Sequence, residues 1–124
     1  MQKKIVVIDD SRTARTEVRN ALEPAGYLVL EALDGRDGLT KIAGNPDASL
    51  VICDVNMPGM NGIEMLWDLQ TEMPQVKIPI IMLTTEQQPQ LLQSAKQAGA
   101  KGWIVKPFKP PMLIAAVKKL VGDV

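Results

Sequence analysis

Five short apolar runs, Lys4–Asp9, Tyr27–Glu31, Ser49–Asp54, Ile78–Thr84 and Trp103–Lys106, recur along the chain at steps of 22 to 29 residues. Three of them, built on Ile5-Val6-Val7-Ile8, Leu50-Val51-Ile52-Cys53 and Ile80-Ile81-Met82-Leu83, are continuous rather than alternating. A continuous apolar strand is stable where both faces of its sheet are covered, as helices cover a parallel sheet. The intervals supply the helices. Ala14, Val18, Ala21 and Leu22 make one apolar stripe at helical spacing, and Leu113, Ala116, Val117 and Leu120 make another. Ile63, Leu66 and Trp67 begin a third, and Leu91, Ala95 and Ala98 a fourth. The weakest pattern is Asp34–Ala43, where Gly35 and Gly38 lower helix propensity. Pro110-Pro111 suits the first turn of the last helix.

Strand–helix alternation repeated five times predicts an α/β fold, a doubly wound five-stranded parallel sheet with five helices, in one domain over residues 1–124. A closed barrel of eight βα units needs about twice the length. The single cysteine, Cys53, excludes an intramolecular disulfide and fits a reducing, cytoplasmic setting. Cys53 itself is expected in the core. The apolar runs are too short to span a bilayer, and the first four residues lead straight into a strand rather than a secretion signal. With no histidine, the chain has neither Ser-His-Asp nor Cys-His catalysis, and it carries no phosphohistidine of its own.

The 14 basic and 14 acidic side chains balance only in sum. Residues 1–86 carry 8 Lys and Arg against 13 Asp and Glu, while residues 87–124 carry 6 lysines against Asp123 alone. An acidic first part and scarce aromatic residues argue against nucleic-acid binding.

Polar residues gather at the C-terminal end of the apolar runs: Asp9-Asp10, Asp54, Thr84-Thr85 and Lys106-Pro107. Ligands of open α/β sheets bind at that edge, where the strand order reverses. If the order is 2-1-3-4-5, strands one and three are neighbours and Asp9, Asp10 and Asp54 converge. Converging carboxylates repel unless a cation joins them, and Mg²⁺ (or Mn²⁺) prefers such hard oxygen donors. Each residue alone also has a structural reading: Asp10 or Ser11 as a helix N-cap, Thr84 as a β-former, Lys106 as a solvated charge.

Together these residues resemble the response-regulator receiver domains of the CheY type. The resemblance rests on Ile5–Ser11, Ile52–Gly62 with its Asp54-Val55-Asn56-Met57-Pro58-Gly59, Ile80–Thr85, Ala98-Gly99-Ala100 and Val105-Lys106-Pro107-Phe108. It covers the whole chain and implies the flavodoxin-like order 2-1-3-4-5. It further implies Asp54 as phosphoacceptor, and Asp9, Asp10, Asp54 and the Asn56 backbone carbonyl around Mg²⁺. Thr84 would bond the phosphoryl group, Lys106 would pair with it, and Lys106–Pro107 would be a cis peptide. The phosphoryl donor would be a histidine kinase or phosphotransfer domain, which supplies the histidine missing here.

In this family, Thr84 and an aromatic residue on strand five form the switch that remodels helix four, strand five and helix five for a downstream target protein or a phosphatase. The aromatic position is Trp103, where Tyr or Phe is usual, which leaves an inward rotation, a buried ring and an outward ring all open. Arg12, Arg15 and Arg19 on the first helix are read equally as a partner-facing or a solvated surface. Asn56 and Glu86 flank the site, and Trp67 is expected to pack.

The expected function is a stand-alone, monomeric phosphorylation switch of a two-component, phosphorelay or chemotaxis-like system, not an enzyme with an external substrate and without membrane insertion. Other readings are a receiver cut from a longer regulator and a Mg²⁺-dependent aspartyl-phosphate phosphohydrolase. The adjacent Asp9-Asp10 and the lack of a cap insertion disfavour the hydrolase. A flavin binder is disfavoured by the first loop, Asp10-Ser11-Arg12-Thr13, which has no phosphate-cradling run of Ser, Thr and Gly.

Overall fold

In the computed structural model, which describes residues 2–122, strands and helices alternate without exception. The order is β1 (Lys4–Ile8), α1 (Arg12–Leu22), β2 (Leu28–Ala32), α2 (Gly35–Gly44), β3 (Leu50–Cys53), α3 (Gly62–Glu72), β4 (Ile80–Thr84), α4 (Pro89–Gln97), β5 (Gly102–Val105) and α5 (Pro110–Val121). Met1, Asp123 and Val124, part of the domain expected over 1–124, lie outside the described residues.

The strands form one parallel sheet in the order β2-β1-β3-β4-β5. The three continuous apolar runs are the three central strands, and β3 and β4 are buried at every position. The edge strands β2 and β5 are only partly buried, because each has a neighbour on one side alone. Successive side chains of a strand point to opposite faces, so each central strand feeds two cores. Val6, Ile8, Val51, Cys53, Ile80 and Met82 pack under α2, α3 and α4. Ile5, Val7, Leu50, Ile52, Ile81 and Leu83 pack under α1 and α5, against Val18, Leu22, Leu113 and Val117.

The weak helical pattern after Asp34 does form α2. Asp34 caps it by accepting the Asp37 N–H at 2.8 Å. Gly38, costly to an isolated helix, lets α2 lie close on β1, since a Cβ there would come within 2.5 Å of Ile8 Cδ1. In α3 the expected stripe is displaced. Met65, Leu66 and Leu69 face the core, while Trp67 is 45% exposed. Among the described residues, no helix is long and apolar enough to cross a membrane.

Candidate functional site

The sheet ladder continues past the last residue of several strands, and those extra residues are the polar ones. The Asp54 N–H donates to the Ile8 carbonyl at 3.0 Å, the Asp9 N–H to the Ala32 carbonyl at 3.2 Å, and the Lys106 N–H to the Thr84 carbonyl at 2.9 Å. Ile8 and Cys53 are register partners, so the residues that follow them, Asp9 and Asp54, emerge side by side. Gly62 at the start of α3 closes in behind Asp54. A Cβ at Gly62 would lie 2.1 Å from the Asp54 carbonyl oxygen. An Asn61–Glu64 capping box fixes that end of α3.

One carboxylate oxygen from each of Asp9, Asp10 and Asp54 lies within 4.8 Å of the others. Asp9 and Asp54 are 4% and 7% exposed, whereas Asp10 faces solvent. Lys106 enters from the β5 side, just before a cis peptide bond to Pro107. Its Nζ donates to Asp9 Oδ2 at 2.7 Å and to Asp54 Oδ2 at 3.2 Å. The remaining oxygens are also engaged: Asp9 Oδ1 accepts the Ser11 N–H at 2.9 Å, and Asp54 Oδ1 accepts the Asn56 N–H at 3.3 Å.

Three carboxylates share one ammonium group here, and two of the four groups are largely buried. Burial raises the Asp9 carboxyl above its ordinary value despite the bonds from Lys106 and Ser11, and the Asp54 charge adds to the rise. Burial disfavours the Lys106 ammonium, yet the Asp9 hydrogen bond and the two carboxylate charges together raise its pKa. A net-negative cluster of carboxylate oxygens, two of them from buried side chains, fits a hard divalent cation.

Thr84 is fully buried, and its hydroxyl accepts the Glu86 N–H at 3.3 Å. Glu86 spans the rim: its carboxylate accepts from Asn56 Nδ2 at 3.1 Å, and its carbonyl accepts from Trp103 Nε1 at 3.0 Å. Trp103 is half-buried against the α2–α4 core. Cys53 is buried on the opposite face from Asp54, and burial pushes its thiol pKa far up.

Sequence reasoning missed the role of Arg15. It is buried rather than solvated, bonded to the Asp9 carbonyl and to Glu31 on β2. The isolated acidic residue in the apolar β2 run was the available signal.

The family model for the response regulator receiver domain matches residues 5–118. The chain belongs to the response regulator receiver family. Its relatives include the chemotaxis protein CheY1 of Helicobacter pylori, 38% identical over 120 residues, or 96% of this chain and 97% of that protein. The chemotaxis protein CheY homolog of Campylobacter jejuni is 38% identical over 96% of this chain and 92% of its own length. Among solved structures, the Vibrio cholerae chemotaxis protein CheY4 matches with a TM-score of 0.89 and 38% identity, covering 97% of this chain and 99% of that one. A CheY-like receiver domain protein of Methanospirillum hungatei matches with a TM-score of 0.86 and 29% identity, covering 96% and 93%. The flavodoxin-like order expected from the resemblance is the observed one. Receivers of this kind are signalling switches rather than enzymes with external substrates.

Proposed function

We propose that this receiver is a stand-alone response regulator that takes a phosphoryl group onto Asp54 from the phosphohistidine of a kinase or phosphotransfer domain. The observation that carries this reading is the Lys106 ammonium bonded to both Asp9 and Asp54. It sets a positive charge beside the acceptor carboxylate, on the side where phosphoryl oxygens would gather charge.

Asp54 attacks phosphorus through a carboxylate oxygen, the histidine P–N bond breaks, and an acyl phosphate forms. Asp9, Asp10, Asp54 and the Asn56 backbone carbonyl would hold Mg²⁺ (or Mn²⁺), which neutralises charge on the transferred group when bound. Lys106 orients and neutralises from the opposite side. Burial of Asp54 limits water, and Asn56 and Glu86 narrow the rim that water must cross to hydrolyse the product.

The Thr84 hydroxyl is the group that turns to the phosphoryl oxygens. Its present partner is the Glu86 N–H, so turning it loosens the residue that also holds Trp103. Release at Glu86 frees the indole and alters the face formed by α4, β5 and α5, where Leu92, Val105 and Met112 are exposed beside Lys96 and Lys101. That apolar and basic face suits an acidic, amphipathic segment of a target protein or phosphatase. In this reading the protein works as a cytoplasmic monomer, and the names of its relatives favour chemotaxis-like signalling.

Incubation with Mg²⁺ and acetyl phosphate, followed by intact-mass measurement, tests the reading. The expected result is one labile phosphoryl adduct that is absent from Asp54→Asn. No adduct, or one that persists in Asp54→Asn, overturns it.

A further inference from the structure

Of the three arginines on α1, Arg12 is exposed, Arg19 is half-buried and Arg15 is only 7% exposed. A guanidinium is rarely buried unless its donors are matched. Arg15 spends its fork on two elements at once. Nη1 donates to the Asp9 backbone carbonyl at 2.7 Å, and Nε donates to Glu31 Oε1 on β2 at 2.8 Å. The fork is itself held. Glu31 Oε2 accepts from Arg19 Nε at 2.9 Å, and Arg19 also binds the Val29 carbonyl and the Glu23 carboxylate.

The bonded atom matters. Asp9 stands one residue beyond β1, with its N–H secured by the Ala32 carbonyl. Its carbonyl belongs to the Asp9–Asp10 peptide plane, and the tilt of that plane sets where Asp10 leaves the backbone relative to Asp9. Asp10 is exposed, so its carboxylate has little packing of its own to direct it.

We infer that Arg15 is a positioning residue of the cation site, holding the Asp9–Asp10 peptide so that the Asp10 carboxylate converges with those of Asp9 and Asp54. The inference rests on the acidic cluster being the Mg²⁺ site proposed above. It makes a claim that charge alone would reverse. Arg15 is a cation near a cation site, so a purely electrostatic role predicts tighter Mg²⁺ binding when it is removed. A positioning role predicts weaker binding, and Glu31 already offsets most of the Arg15 charge.

The test is Mg²⁺ titration by calorimetry on the full chain, with amide NMR shifts of Asp10 and Ser11 followed in the same samples. The decisive variant is the double Arg15→Met/Glu31→Met, which removes both halves of the pair and leaves net charge unchanged. Replacing both halves of an ion pair by apolar side chains of similar size is often neutral or stabilising, so this variant carries the test even if Arg15→Met alone does not fold. Its Mg²⁺ affinity is expected to fall about tenfold, the usual scale for residues that orient metal ligands, with shifted Asp10 and Ser11 amides. Arg19→Met loosens the same cluster without touching Asp9, and should keep wild-type affinity. Unchanged or tighter Mg²⁺ binding by the double variant overturns the inference, and so does equal weakening in Arg19→Met. A wild-type chain that binds no Mg²⁺ and takes no phosphoryl group removes the site itself, and the positioning role with it.

Discussion

Trp103 donates its indole N–H to the backbone carbonyl of Glu86 at 3.0 Å, tying the fifth strand to the rim of the acidic site. A tyrosine or phenylalanine ring has no ring N–H to make this bond. The indole therefore reports on Glu86, whose N–H is bound to Thr84 and whose carboxylate is bound to Asn56.

Phosphorylation should change Trp103 fluorescence. In a Trp67→Phe background, acetyl phosphate with Mg²⁺ is expected to shift or quench the remaining emission, and Asp54→Asn should abolish the change. Trp67 is exposed on α3, so Trp103→Phe should leave a nearly unresponsive signal. A full response in Trp103→Phe would refute the coupling through Glu86.

Lys106→Met should destabilise the domain and make its stability respond more strongly to Mg²⁺. Without the ammonium, Asp9 and Asp54 face each other uncompensated. The expected cost in metal-free buffer is about 1–3 kcal/mol, largely recovered at millimolar Mg²⁺ because a ligand that binds only the folded state stabilises it. Thermal unfolding with and without Mg²⁺ measures both. Phosphoryl transfer should stay impaired throughout.

Gly62→Ala should damage the site from behind. Its Cβ would lie 2.1 Å from the Asp54 carbonyl oxygen, and the Asp54 backbone, whose N–H is bound to the Ile8 carbonyl, cannot step aside cheaply. A loss of about 2–3 kcal/mol is expected, along with slower phosphorylation of the displaced Asp54. Gly38→Ala is a milder change. There the Cβ meets the end of the Ile8 side chain, and a gain in helix propensity of up to about 1 kcal/mol offsets part of the clash. Urea denaturation of both variants distinguishes the two kinds of glycine.

The Arg15–Glu31–Arg19 cluster should give stability a carboxylate-type pH dependence. Burial acts to raise the Glu31 carboxyl, but hydrogen bonds from Arg15 and Arg19 outweigh it and hold the group below its ordinary value of 4.5. A carboxyl depressed in the folded state contributes stability above its unfolded pKa, and that contribution fades as pH falls through the folded value. The stability gap between wild type and Glu31→Gln should therefore be on the order of 1 kcal/mol at pH 7, and shrink as pH falls below the ordinary carboxyl value of 4.5 and through the lower folded value. Urea unfolding across this range measures the gap, and a gap that widened in acid would contradict the assignment.

Much of this was legible in the chain because it depends on patterns along one dimension. Continuous apolar runs marked the central strands, and the polar residue after each run marked the ligand-binding edge. What escaped depends on a third element coming close. Trp67 sits at a spacing that reads as a core stripe, yet α3 is rotated so that Met65 and Leu69 meet the sheet instead. Arg15 looks like any surface arginine of an amphipathic helix. Only the packing of α1 beside β2 sets Glu31 across from it and gives it a buried partner. The Glu86 bridge likewise joins elements that are distant in sequence, since Asn56 follows β3 and Trp103 lies on β5.

The ladder bonds that run past the strand ends divide the molecule by mechanical compliance. Asp9, Asp54 and Lys106 have their amides locked into the sheet, so in hydrogen exchange they should open only when the whole domain does. The Asn56–Glu86–Trp103 bridge joins two rim loops to the edge strand β5, where opening costs less. The group proposed to react is thereby held on the sheet, while the proposed output route runs through the rim. A phosphoryl group on Asp54, as proposed, would alter the outer face while leaving the sheet frame in place.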